Sequence, residues 1–226
     1  MSLIKELQRK KILQQKIPTN KNYDDLIFEL KEKGIINKKI LDSMKKVPRK
    51  LFVEDGFADF VYENTPLPIL CKQTISQPFI VAYMIDCLKL KETDKVLEIG
   101  TGTGYQAALL SHLCSHVYTI EIFDELHDQA KLNHKKLKLE NISYMVGNGI
   151  EGWRKSISFD AIIISASTKF TPNKLLKNLK NDGKLIFPKK YPLGYQKLIL
   201  INKTRENIFN EEILLDVKFV PLLEKI

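Results

Sequence analysis

Cysteine is scarce in this chain of 226 residues: only Cys71, Cys87 and Cys114, at wide and irregular spacings. An odd, scattered set provides neither a disulfide framework nor the paired ligands of a zinc knuckle, so the expectation is buried thiols in a reducing compartment. Long apolar runs are missing as well. No stretch approaches the roughly 20 residues needed to cross a bilayer. The opening "MSLIKELQRKKILQQK" also lacks the unbroken apolar segment of a secretory signal. A cytoplasmic protein without membrane contact is therefore expected. The absence of any repeat or low-complexity tract excludes a solenoid, and the absence of Gly-Lys-Ser/Thr excludes a P-loop.

Acidic residues are thin at one end. Residues 1–50 hold 14 Lys and Arg against 6 Asp and Glu, leaving 22 against 21 for the rest, so the net charge of +9 belongs almost wholly to the N-terminal quarter. Such an arm can touch RNA, a membrane surface or acidic proteins, but a solvated helical extension explains it as well. The length and a hydrophobic share of 44% suit one packed core. Residues 1–22 are read as a basic extension and 23–226 as a single domain.

Up to residue 90 the chain reads as helices. In "NYDDLIFELKEKGI" Leu26, Ile27 and Leu30 share a face and Gly34 suits a left-handed end. In "NKKILDSMKKVP" Asn37 caps, Ile40, Leu41 and Met44 line a face, and Pro48 stops the run. Pro78 suits the first turn of a helix over "FIVAYMIDCLKL". No strand is expected in this part. Beyond it, the strand-like runs "KVLEIG", "HVYTIE", "NISYMV", "DAIIIS" and "KLIFP" alternate with helix-like segments. This is the grammar of stacked βαβ units around a mostly parallel sheet with helices on both faces. "YQKLILIN" and "EEILLDVKFV" predict an antiparallel finish.

The motif that carries chemistry is "KVLEIGTGTGYQ", with Gly100, Gly102 and Gly104 between a strand and a helix. Such a loop offers free backbone N–H groups and a helix N-terminus at the carboxyl edge of the sheet, where nucleotide-like ligands bind. The spacing is G-x-G-x-G, not the dinucleotide G-x-G-x-x-G. Glu98 precedes the loop at the strand end, where a carboxylate would repel a pyrophosphate and welcome an ammonium or sulfonium group. Glu121 ends the next strand, 21 residues after Gly100, and is placed to accept from ribose hydroxyls. A nucleoside carrying a cation satisfies both acids, and S-adenosylmethionine is such a molecule. Glycines making a tight turn beside two ordinary strand-end charges are the plainer alternative.

The segments "VPRKLFV", "PLPI", "QTISQPFIVA", "VLEIGTGTGYQAA", "FDAIIISA" and "FVPL" together resemble the protein-L-isoaspartate O-methyltransferases, of the Rossmann-like class of S-adenosylmethionine-dependent enzymes. "QTISQP" is the specific piece. The resemblance implies that Thr74 and Ser76 lie beside the methyl donor, with Ser76 as the active-site residue. It also implies that Gly147, Asn148 and Gly149 occupy the place of a Gly-Asp-Gly adenine loop. Asn148 is a departure, as are Leu70 and Lys72 where the family has glycines, and "SASTKFTP", in which only Ala166 and a displaced Pro172 match an alanine-rich loop. The resulting expectation is a donor site of Thr74, Glu98, Gly100, Gly102, Gly104, Glu121, Asn148, Gly149 and Gln196.

The expected reaction is methyl transfer to the carboxylate of L-isoaspartyl residues in damaged proteins, by a monomer and without nucleic acid. That nucleophile is ionised at neutral pH, its pKa being about 3.3–3.7, so no general base is needed. Two rival readings stay open: the same cofactor with an RNA acceptor, and a nucleic-acid-binding protein with a Rossmann-like core that does not catalyse. His112 and His116 flank Cys114 in "HLCSH" without a third ligand at a recognised spacing, so no metal is expected. Trp153 is read as a loop anchor.

Overall fold

The computed structural model describes residues 21–154, 157–205 and 208–224. The basic extension of residues 1–22 lies outside them except for Lys21 and Asn22. Asn22 opens helix α1 (Tyr23–Glu32) with a capping box: its side chain accepts from the N–H groups of Asp24 and Asp25, and Asp25 accepts from its backbone. Leu26 and Leu30 are buried on one face, and Gly34 follows at φ 91°. Asn37 caps α2 (Lys38–Lys46), which buries Ile40 and Met44, with Leu41 half-buried. Both helices therefore follow from cap plus apolar period.

A two-residue hairpin follows, β1 (Leu67–Pro68) antiparallel to β2 (Thr74–Ile75). The sequence gives no signal for it, because strands this short have no period and one of the two contains proline. Its tip carries Cys71 at φ 56° and Lys72 at φ 59°. Both residues thus hold a left-handed backbone that glycine adopts more readily. Pro78 then occupies the first turn of α3 (Pro78–Leu88).

From β3 (Lys95–Ile99) onward the βαβ grammar holds. The chain runs through α4 (Tyr105–Ser111), β4 (His116–Glu121), α5 (Asp124–Lys136), β5 (Ile142–Val146), β6 (Phe159–Ile164) and α6 (Asn173–Lys177). It ends in β7 (Leu179–Lys190), β8 (Gln196–Arg205) and β9 (Ile208–Val217). Strand order is 5-4-3-6-7-8-9, parallel from β5 to β7 and antiparallel at β7/β8 and β8/β9. The expected α/β fold with a mostly parallel sheet and an antiparallel end is thus observed. Chain order reverses at β3, where the chain goes first to β4 and later to β6, and ligands of open α/β sheets bind at that switch point.

Alternation along the strands sorts side chains into two cores. Val96, Val117, Ala161 and Ile163 pack with α1 to α4 on one face, while Leu97, Ile99, Ile162 and Ile164 pack with α6 on the other. Trp153 joins the second core edge-to-face on Tyr118, ring centroids 5.1 Å apart, which is the anchoring contact the sequence suggests.

Candidate active site

One cleft crosses the carboxyl ends of β5, β4, β3 and β6 in that order, lined by Gly147 and Gly149, Glu121, Gly100 to Thr103, and Ser165 with Ala166. Thr74 and Ser76 close it from the hairpin side, and residues 220–223 from the C-terminal side. Of the site residues read from the sequence, Thr74, Ser76, Gly100, Gly102, Glu121 and Gly149 come together here.

The glycine loop is held from behind. Gly104 sits at φ 97° as the N-cap of α4, and a Cβ there would lie 2.5 Å from Nε2 of His134. That imidazole contacts the Gly104 carbonyl at 2.7 Å, and Nδ2 of Asn133 donates to the Thr103 carbonyl at 3.0 Å. Burial pulls His134 below its ordinary pKa, so the neutral ring fits with Nε2–H donating to that carbonyl. Two neighbouring residues of α5 thus fix two neighbouring carbonyls of the loop, although Gly104 itself does not reach the cleft wall.

Glu121 shapes the front of the loop. Its Oε2 accepts from the Gly102 N–H at 2.8 Å, and its Oε1 accepts from those of Ile122 and Phe123 at 2.8 and 3.1 Å. Burial raises its pKa and the three N–H bonds oppose the rise. The three N–H bonds take both acceptor sites of Oε1 and one of Oε2, so capacity remains on Oε2 for one ligand hydroxyl.

Three expectations need correction. Glu98, expected to face the ligand, is fully buried: it shares the Val96 face of β3 and points under α4. Its carboxylate accepts from Nε2 of Gln106 at 3.0 Å and from Oγ1 of Thr119 at 2.6 Å, and burial pushes its pKa up to about 8. A strand buried on both faces directs this residue into the helix layer and not over the sheet edge. Gln196 lies away from the cleft, its amide exchanging hydrogen bonds with the backbone N–H and C=O of Phe219. Asn148 does not line the cleft. Its Oδ1 accepts from the Ile150 N–H at 3.1 Å, an Asx cap on the single 3-10 turn Gly149–Glu151.

The sequence reading missed Gln106 and Ser165, both in the cleft wall, where Nε2 of Gln106 donates to Oγ of Ser165 at 2.8 Å. The pattern "GTGTGYQ" put Gln106 one turn into the helix, and nothing in it signalled the link to β6. The C-terminal residues 220–223 were noted only as part of a motif. His112 ends α4 and His116 pairs with Ser143 on β5. Among the described residues no group of three or more His, Cys, Asp or Glu could hold a metal ion.

The cleft fits a nucleoside-bearing cation. A Cβ on Gly147 would meet no protein atom within 4 Å, so glycine leaves that space to a ligand, while one on Gly149 would run into Ile99. With an acid at the end of β4 beside them, these positions would hold the nucleoside part of such a ligand, and the cleft continues over β3 to Ser165 and Ser76. Fold and cleft together define a Rossmann-like, S-adenosylmethionine-dependent methyltransferase.

Residues 20–226 match the family model described as Protein-L-isoaspartate(D-aspartate) O-methyltransferase (PCMT). A protein-L-isoaspartate O-methyltransferase of Parvibaculum lavamentivorans is 45% identical, with 88% of this chain and 90% of that protein aligned. One from Dictyoglomus turgidum is 44% identical, with 87% and 89% aligned. A solved Plasmodium falciparum structure, titled as a putative member in complex with S-adenosyl-L-homocysteine, superposes with a TM-score of 0.80 at 26% identity, covering 91% of this chain and all of that one. Another solved protein-L-isoaspartate O-methyltransferase gives 0.81 at 26% identity, and this chain spans 65% of its length. The chain belongs to the protein-L-isoaspartate O-methyltransferase family.

Proposed function

We propose that this protein transfers a methyl group to the free carboxylate of L-isoaspartyl residues in damaged proteins, with Ser76 orienting the acceptor. One observation carries the reading: the QTISQP hairpin brings Thr74 and Ser76 onto the same cleft as the glycine loop and Glu121. S-adenosylmethionine supplies, when bound, an electrophilic sulfonium methyl. The acceptor carboxylate is already an anion at neutral pH, so the protein's task is alignment and exclusion of water, not proton abstraction. A neutral hydroxyl from Ser76 directs one carboxylate oxygen without the ground-state grip of an arginine in direct contact. Glu121 would hold a ribose hydroxyl, with Gly147 and Gly149 lining the space for the base. Thr74, Gly100 and Gly102 complete the donor wall.

The acceptor is read as protein rather than nucleic acid because the charge excess lies in residues 1–50, while residues 51–226 are nearly balanced at 22 Lys and Arg against 21 Asp and Glu. Its three cysteines are free thiols, which supports a cytoplasmic location, and the protein is taken to act as a monomer. No helix among the described residues is long and apolar enough to cross a membrane.

The reaction class is tested by the lability of the product. Label transferred from S-adenosylmethionine to a carboxylate is released as methanol in mild alkali. Label that survives alkali would place the methyl on nitrogen or on a ribose hydroxyl and exclude a carboxyl ester.

A further inference from the structure

Arg49, at the start of the 3-10 turn Arg49–Phe52, is a buried cation. It is 2% exposed. Nη1 donates to the carbonyls of Val61 at 2.8 Å and Glu63 at 3.4 Å, and Nη2 to those of Thr65 at 2.9 Å and Ser76 at 3.2 Å. Nε has no partner, and no carboxylate among the described residues pairs with the guanidinium. Burial pulls its pKa down to about 10, which leaves it protonated at neutral pH.

A desolvated charge facing only neutral carbonyls is costly to keep, and a surface-like role does not explain it. Its nearest link to the chemistry is Ser76, which lines the cleft and whose carbonyl it holds. Tyr105 borders both the cavity around Arg49 and the donor cleft. Burial raises the Tyr105 phenol, so this shared wall is neutral and adds no anion to cancel the field.

We propose that Arg49 is a positioning residue for the methyl acceptor: it draws the Ser76 carbonyl inward to fix the hydroxyl-bearing turn, and its uncompensated charge makes that half of the cleft selective for an anion. The inference rests on the carboxylate acceptor proposed above. It places the positive charge behind the peptide and not in contact with the nucleophile, so the anion is attracted without being gripped.

The test compares an isoaspartyl peptide with the same peptide whose free carboxylate is capped as an amide, the first as substrate and the second as competitive inhibitor. Wild-type enzyme should favour the anion by about tenfold or more, equivalent to about 1.4 kcal/mol. Arg49→Met should raise KM for the anionic peptide by roughly that factor, leaving the amide's inhibition constant and the Kd for S-adenosylhomocysteine within about twofold. Arg49→Lys, which keeps the charge and loses the fork, should retain the anion preference. Equal weakening of both peptides in folded Arg49→Met would mean a purely structural role and overturn the proposal. Loss of the preference in Arg49→Lys, or no preference in wild type, would overturn it too, the latter without needing a variant that folds. If wild type binds S-adenosylhomocysteine but methylates no isoaspartyl peptide, the acceptor assignment fails instead.

Discussion

The side-chain amide of Gln106 donates to the carboxylate of Glu98 across 3.0 Å of protein interior, joining α4 to β3 directly behind the glycine loop. The same Nε2 reaches Ser165 at the end of β6, so one amide ties the three elements that meet at the switch point. Glu98 is held near about 8, above its ordinary 4.5, with burial as the main cause. The folded state therefore keeps a proton that the unfolded chain releases. Its contribution to stability is complete below about 4.5 and is lost as pH rises through about 8. Glu98→Gln removes the titration and should flatten the decline. Urea unfolding at pH 5 and pH 8 checks this: the variant should gain on wild type at the higher pH, and equal pH slopes would contradict it.

Ser76→Ala should lower turnover while leaving S-adenosylhomocysteine binding nearly intact. One neutral hydrogen bond contributes about 0.5–1.5 kcal/mol, which corresponds to a loss between a few-fold and about tenfold. Single-turnover rates measure the effect, and an unchanged rate removes Ser76 from the mechanism.

Gly104→Ala should be damaging, since φ is 97° and the new Cβ would meet His134 at 2.5 Å and Ala130 at 3.0 Å. A loss of about 1–3 kcal/mol is expected, together with weaker donor binding as the loop shifts. Gly56→Ala is the control, because a Cβ there meets nothing within 4 Å. Thermal unfolding with and without S-adenosylhomocysteine separates the two variants. Similar melting temperatures would show that the backbone at Gly104 is adaptable.

Asn148→Asp should leave cofactor binding within about twofold, because residue 148 does not line the cleft. A carboxylate oxygen replaces Oδ1 as acceptor of the Ile150 N–H, and a charged acceptor makes a bond about twice as strong as a neutral one. Calorimetry with S-adenosylhomocysteine checks this. A several-fold change in Kd would mean that residue 148 reaches the cofactor.

The parts of the fold that rest on periodicity were legible before the structure. The apolar runs ending at Ile99 and Glu121 appear as β3 and β4, and Asn37 and Pro78 sit where helices begin. What stayed hidden depends on partners distant in sequence. Glu98 was misdirected because position at a strand end does not say which face is buried. Gln196 is paired by Phe219, 23 residues away, and Arg49 collects carbonyls from residues 61 to 76. The sequence "VPRKLFV" presents Arg49 between apolar neighbours with no sign that it is the buried member. The β1–β2 hairpin, two residues per strand, carries no pattern at all.

Transfer of labelled methyl from S-adenosylmethionine to an isoaspartyl peptide, run beside the same sequence with an ordinary aspartyl residue, tests the account most directly. The account predicts label on the isoaspartyl peptide and almost none on its aspartyl twin. Equal labelling of the two, or none on either while S-adenosylhomocysteine still binds, would contradict it.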